Sequence, residues 1–126
     1  MPPFSPQPKP ASRVLVKRAK KAEAESNWRK VVKAVNARDG YKCRVCGKRC
    51  NPEAVTLLEK GHHHHIVYRS AGGEDTTANL VTLCVLCHDA EHRHELKIEG
   101  HGDTGLEVWR VNDAGWFLVK REIAPF

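Results

Sequence analysis

At 126 residues, with 40% hydrophobic side chains, the chain can bury one modest core and has no room for a second full domain. Its formal net charge of +6 is lopsided: residues 1–50 carry 14 Lys and Arg against 3 acids (net +11) and residues 51–126 carry 7 against 12 (net −5), so the basic end should either meet an anionic partner, nucleic acid before membrane, or be a solvated tail. No run approaches the roughly 18 apolar residues of a membrane span, and MPPFSPQPKP lacks the apolar centre of a secretion signal, so the chain is expected to be soluble and cytoplasmic.

In chain order, the proline-rich residues 1–12 are expected to be extended or disordered. RVLVKRAKKAEAE (13–25) could form a basic helix, although its apolar residues cluster at one end. Trp28, Val31, Val32 and Val35 then recur at i, i+3, i+4 and i+7, one face of a helix that Ser26 can cap and Asp39-Gly40 can end. That stripe reads as core packing. AVTLLEK (54–60) reads as a strand leading into four consecutive histidines, His62 to His65. Gly72-Gly73 makes a loop, LVTL (80–83) a short strand and HDAEHRHEL (88–96) a helix. LEVWRV and WFLVKRE flank Asn112-Asp113-Ala114-Gly115, predicting a hairpin in which Trp109 and Trp116 serve as packing anchors.

Five cysteines are an odd number, and two C-x-x-C pairs in a non-secreted chain point to metal ligation before disulfides. In Cys43-x-x-Cys46 and Cys84-x-x-Cys87 the two-residue gap lets a turn aim two thiolates at one tetrahedral Zn²⁺. Four thiolates close the shell, so this zinc should be structural and contribute to folding. The pairs are 37 residues apart, which means that something is inserted between them. Cys50 is left over as a spare thiol.

The insert holds the histidine run and a lone Asn79, and the second knuckle is followed at once by His88 and then His92. Four apart on a helix, these two project from one face within reach of a common ion. His64-His65-Ile66, Ser70, Gly72-Gly73, Asn79-Leu80, Leu83-Cys84, Cys87-His88 and His92, taken together over residues 39–96, resemble the HNH endonuclease family. The resemblance implies a small ββα-metal domain, and with the zinc knuckles, the N-terminal helix and the C-terminal β-hairpin read above the expected fold is α+β. It implies hydrolysis of phosphodiester bonds in DNA, leaving 5′-phosphate and 3′-hydroxyl ends.

Carried over by position, His65 resembles the general base, His64 the metal ligand before it, Asn79 the brace of the loop and His88 the final ligand. His92 resembles the additional ligand of the nuclease colicins. Tyr68 stands where many members have proline, which removes no catalytic group. A neutral imidazole can take a proton from water near pH 7, and imidazole-rich ligation suits Zn²⁺, Ni²⁺, Co²⁺ or Mn²⁺ better than Mg²⁺. His62 and His63 lie outside the matched motif and are expected to be exposed or to touch phosphate before serving as extra ligands; His94 and His101 read as surface histidines. Arg69 could clamp a phosphate or form a surface salt bridge, and Lys17, Arg18, Lys20 and Lys21 are candidates for backbone contacts to DNA, double-stranded by expectation.

The expected organisation is a basic arm (1–25), a nuclease core (26–98) and a hairpin extension (99–126). The competing reading is a zinc-ribbon DNA-binding module without catalysis, which needs neither the His64-His65 pair nor Asn79.

Overall fold

The computed structural model describes residues 12–51, 53–54, 56 and 59–123. The proline-rich start, residues 1–11, lies outside the described residues, as does much of the strand expected over 54–60; Glu59 and Lys60 form a turn.

Helix α1 (Arg13–Asp39) opens the described chain. Ser12 caps it, its Oγ accepting from the Leu15 N–H at 3.2 Å. Gly40 ends it at φ 62°, a left-handed cap that costs glycine nothing for want of a Cβ, and its N–H returns to Ala37 O. The start expected at Ser26 is therefore corrected. Nothing in 13–25 breaks a helix, and Ala, Lys, Arg and Glu carry it straight through Ser26. Residues 13–25 are exposed on every side, whereas the second half packs on the sheet and buries Val35. At 1.5 Å per residue the helix is roughly 40 Å long, so its basic half projects past the core.

Strand β1 (His62–His65) pairs antiparallel with β2 (Leu80–Leu83), in register from His62↔Leu83 to His65↔Leu80. All four residues of β2 are buried. Alternation turns His62 and His64 to one face of β1 and His63 and His65 to the other. The connecting loop contains a 3-10 turn, Arg69–Ala71, closed by Gly72 at φ 89°. At Gly73 a Cβ would collide with the carbonyl of Val67, so the chain folds back on itself there only because the residue is glycine.

Helix α2 (Val85–His92) completes a ββα unit. It starts three residues before the expected His88 because the Cys84 side chain caps it, and it stops at His92, two residues before His94 turns to φ 59°. Leu96 belongs instead to β3 (Leu96–His101), which joins β4 (Gly105–Asn112) and β5 (Gly115–Ile123) in an antiparallel sheet of order β3-β4-β5. The expected hairpin is β4–β5. Strand β3 was not expected. The organisational boundaries drawn at 25/26 and 98/99 fall within α1 and β3.

Leu96, Ile98, Leu106 and Val108 close the core against Val81, Leu83 and Ala90. A buried ion network fastens the outer elements to it. The Asp39 carboxylate, 0% exposed, accepts from Arg38 Nε and Arg44 Nη1, each at 2.8 Å, and from the Thr82 N–H at 2.9 Å. Arg44 continues to Glu122 of β5 at 2.8 Å. Burial opposes ionisation of Asp39, but these donors outweigh it and hold the carboxyl below its usual range. No helix among the described residues is long and apolar enough to cross a membrane.

Candidate active site

The sulfur atoms of Cys43, Cys46, Cys84 and Cys87 all lie within 4.8 Å of one another, with Cys46 and Cys84 3.6 Å apart. Sulfurs around a tetrahedral Zn²⁺ at about 2.3 Å would stand ~3.8 Å apart, so the quartet fits zinc. Cys43 sits in a knuckle whose backbone closes on itself, Cys43 N–H to Lys48 O and Gly47 N–H to Cys43 O. The Cys84 sulfur accepts from the Cys87 N–H at 3.4 Å at the start of α2. The Cys43 thiol is drawn down to about 4, first by the hydrogen bond with Cys87, while that same bond pushes Cys87 up. Cys50 is buried outside the quartet and pushed up to about 11, chiefly by burial. Its sulfur does not belong to the close group of four.

The zinc knuckle and the histidines share α2. Because His88 directly follows Cys87, the quartet fixes the first turn of the helix and aims His88 and His92, whose Nε2 atoms are 3.1 Å apart. Two nitrogens on one tetrahedral ion at about 2.0–2.1 Å would be ~3.3 Å apart. His64, 3% exposed, faces them from β1, its ring centroid 5.6 Å from that of His88. Behind it stands Glu91, whose Oε2 is 3.7 Å from His64 Nδ1, and the Tyr68 hydroxyl donates to the other Glu91 oxygen. A carboxylate behind a ligating imidazole fixes its ring and leaves Nε2 for a cation.

Burial, followed by the nearness of His92, His62 and His64, lowers His88 to about 4. Burial also lowers His64, against the pull of Glu91. Both are therefore neutral near pH 7, the form that ligates metal. Among the described residues only the cysteines form a group of three or more potential ligands this close; the histidines share a cavity but stand wider apart.

That cavity is a cleft of about 860 Å³ between α1 and the histidine face, lined by Lys21, Trp28, His64, His65, Arg69, Asp75, His88 and His92 among others. His65 lies on its α1 side. The His65 Nε2 atom meets Asp75 Oδ1 at 2.7 Å, and its ring stacks on Trp28 at 5.8 Å between centroids and 9° between planes. Arg69 pairs with Asp75 at 3.1 and 3.2 Å and lies over Trp28. Burial opposes ionisation of Asp75, but His65 and Arg69 outweigh it and keep the carboxyl below its usual range. An ionised carboxylate can only accept, so His65 Nε2 carries a proton, and in the uncharged ring the acceptor nitrogen is then Nδ1.

Asn79 clamps the loop from inside. Its Oδ1 accepts from the Val67 N–H at 2.8 Å, and its Nδ2 donates to the carbonyls of Val67 and Glu74 at 3.0 Å.

Three sequence expectations change here. Trp28 belongs to the cleft wall and not to the core, because periodicity identifies a helix face without saying what it faces. His63 is half-buried, lines the cleft and bonds to Asn36 Oδ1 of α1 at 2.7 Å, and His62 is half-buried and packs on His88, so neither is a fully exposed histidine. Trp109 and Trp116 hold Lys97 between them, 5.2 and 4.9 Å from its amine, and do not anchor the core. Asp75 was missed, as it lies ten positions beyond His65 and no motif marks it. Lys17, Arg18 and Lys20 are exposed on α1 outside the cleft lining, whereas Lys21 lines the cleft; His94 and His101 are exposed.

The profile of the HNH endonuclease family matches residues 43–94, the segment that runs from the first knuckle through β1, β2 and α2. The chain is also 36% identical over 73 residues to Anaredoxin of Nostoc sp. strain PCC 7120, a stretch covering 58% of this chain and 86% of that protein. No solved structure matches. This chain is a member of the HNH endonuclease family. Membership points to a nuclease or a nucleic-acid-binding zinc module.

Proposed function

We propose that the protein is a metal-dependent endonuclease that hydrolyses phosphodiester bonds in double-stranded DNA. The observation that carries this reading is the convergence on one cleft of an oriented imidazole, His65, and a cluster of three further imidazoles, His64, His88 and His92. A zinc-binding module without catalysis has no need of either.

His65 is the general base. With Nε2–H held by Asp75, its Nδ1 takes a proton from a water whose oxygen attacks phosphorus; the bond to the 3′ oxygen breaks, and that oxygen takes a proton from solvent water, leaving 5′-phosphate and 3′-hydroxyl ends. His64, His88 and His92 would hold one divalent ion, Zn²⁺, Ni²⁺, Co²⁺, Mn²⁺ or Mg²⁺, which supplies positive charge at the scissile phosphate and at the departing oxygen. Glu91 steadies His64, and Asn79 keeps the loop that carries Asp75 and Arg69 in place. Cys43, Cys46, Cys84 and Cys87 hold structural Zn²⁺. Lys17, Arg18, Lys20 and Lys21 contact the DNA backbone along the projecting half of α1, and Arg69 adds charge at the mouth of the cleft.

Supercoiled plasmid, linear duplex, single-stranded DNA and RNA incubated with Mn²⁺ or Ni²⁺ test this directly. Nicking or linearisation of the duplexes that stops with chelator is expected. Tight DNA binding with no cleavage under any metal would leave a non-catalytic zinc module.

A further inference from the structure

Helix α1 precedes the segment that the family profile matches, yet it supplies one wall of the cleft. Alternation sends the side chains of β1 to two sides. His62 and His64 pack against His88 of α2, whereas His63 and His65 turn to α1. There Asn36 Oδ1 meets His63 Nε2 at 2.7 Å, and Trp28, on the same stripe of the helix, meets His65.

The half-buried Trp28 ring lies within 9° of the plane of His65, with centroids 5.8 Å apart, and stands at 89° to His63, 6.3 Å away. The Arg69 guanidinium is 5.0 Å from the same indole, and Arg69 and His65 share the Asp75 carboxylate. These contacts close a cycle from Trp28 to His65, Asp75, Arg69 and back to Trp28. A single hydrogen bond at Nε2 fixes one point of the His65 ring and leaves its plane free to swing about that point. A parallel aromatic face fixes the plane. Together the two constraints set the direction of Nδ1.

We infer that Trp28 is a positioning residue for His65, holding the plane of the imidazole while Asp75 holds its Nε2 edge. This rests on His65 serving as the general base, and it extends the site to a helix outside the family segment. With His65, His63 and Arg69 already on the indole, Trp28 is not a platform for a DNA base.

The test is cleavage of supercoiled plasmid with Mn²⁺ by full-length, zinc-loaded protein, with kcat and KM measured separately. Trp28→Phe keeps a flat ring and should stay within ~3-fold of wild type. Trp28→Leu and Trp28→Met keep apolar bulk without a face and should lose on the order of 10- to 10²-fold in kcat, the cost of a misplaced catalytic group. Their KM should stay within ~2-fold, as expected when only transition-state stabilisation is lost. Made in His65→Ala, the same changes should cost nothing further, because the ring they misplace is gone. Zinc content and melting curves report folding. Independently of any variant, NMR of the wild type should show the His65 ring protons displaced upfield by the indole face, and undisplaced signals would overturn the stack. Equal losses with and without His65, or a loss confined to KM, would overturn the positioning role. Wild-type cleavage by His65→Ala would instead remove the base assignment, and this inference with it.

Discussion

His65 and Asp75 form a dyad: Nε2 and Oδ1 are 2.7 Å apart, and Asp75 is in turn held by Arg69 at 3.1 and 3.2 Å. The carboxylate selects one tautomer and one ring orientation for the imidazole. Asp75→Asn should therefore lower kcat by about 10- to 100-fold, a share of the 10² to 10⁴ that a general base contributes, while KM for plasmid stays nearly constant. Steady-state cleavage rates check this. Equal loss in kcat and gain in KM would instead mean that Asp75 serves DNA binding through Arg69.

Zinc removal should unfold the ββα unit. The quartet joins the first knuckle to the start of α2, and structural zinc contributes about 10–16 kcal/mol in small zinc domains, comparable to a domain's whole stability. Cys84→Ser should lose both the metal and a cooperative melting transition, whereas Cys50→Ser should keep one zinc per chain. Metal analysis with circular dichroism measures both.

The exposed basic half of α1 should act through phosphate charge. Replacing Lys17, Arg18, Lys20 and Lys21 together by Ala should weaken duplex binding for every sequence alike. The slope of log affinity against log salt should fall by roughly 2 to 4, at about 0.9 for each lost phosphate contact. Fluorescence anisotropy over a salt series reads the slope, and an unchanged slope removes the arm from the interface.

Acid should destabilise the zinc-loaded protein whose histidine site is empty. Folded His88 accepts a proton only near pH 4, where an unfolded histidine accepts one near ~6.5. The unfolded chain thus binds more protons between these values, so the contribution of His88 is complete above pH 6.5 and is lost as pH falls toward 4. Urea melts across that window should show a lower midpoint at each step down in pH, and His88→Gln should flatten the trend.

Much of this architecture was legible because its signals are local. A C-x-x-C gap is one turn of geometry, and Gly40 and Asn112–Gly115 end or turn the chain by their own backbone preferences. The parts that were not legible depend on distant partners. Ser26 and Ser12 are equally good caps on paper, and only the absence of a breaker between them favours the earlier one. Strand alternation says that His62 and His63 face opposite ways, but not that Asn36, 27 residues away, waits for one and His88 for the other. Trp28 shows the same limit, since a helical stripe cannot announce that part of it borders a cleft.

The most direct measurement is cleavage of supercoiled plasmid by His65→Ala beside wild type, with zinc content and melting checked in both. A folded, zinc-loaded variant slowed on the order of 10²- to 10⁴-fold while still binding DNA is the predicted result. Wild-type cleavage by that variant would contradict His65 as the base and, with it, the reading of the cleft as a hydrolytic site built around that residue.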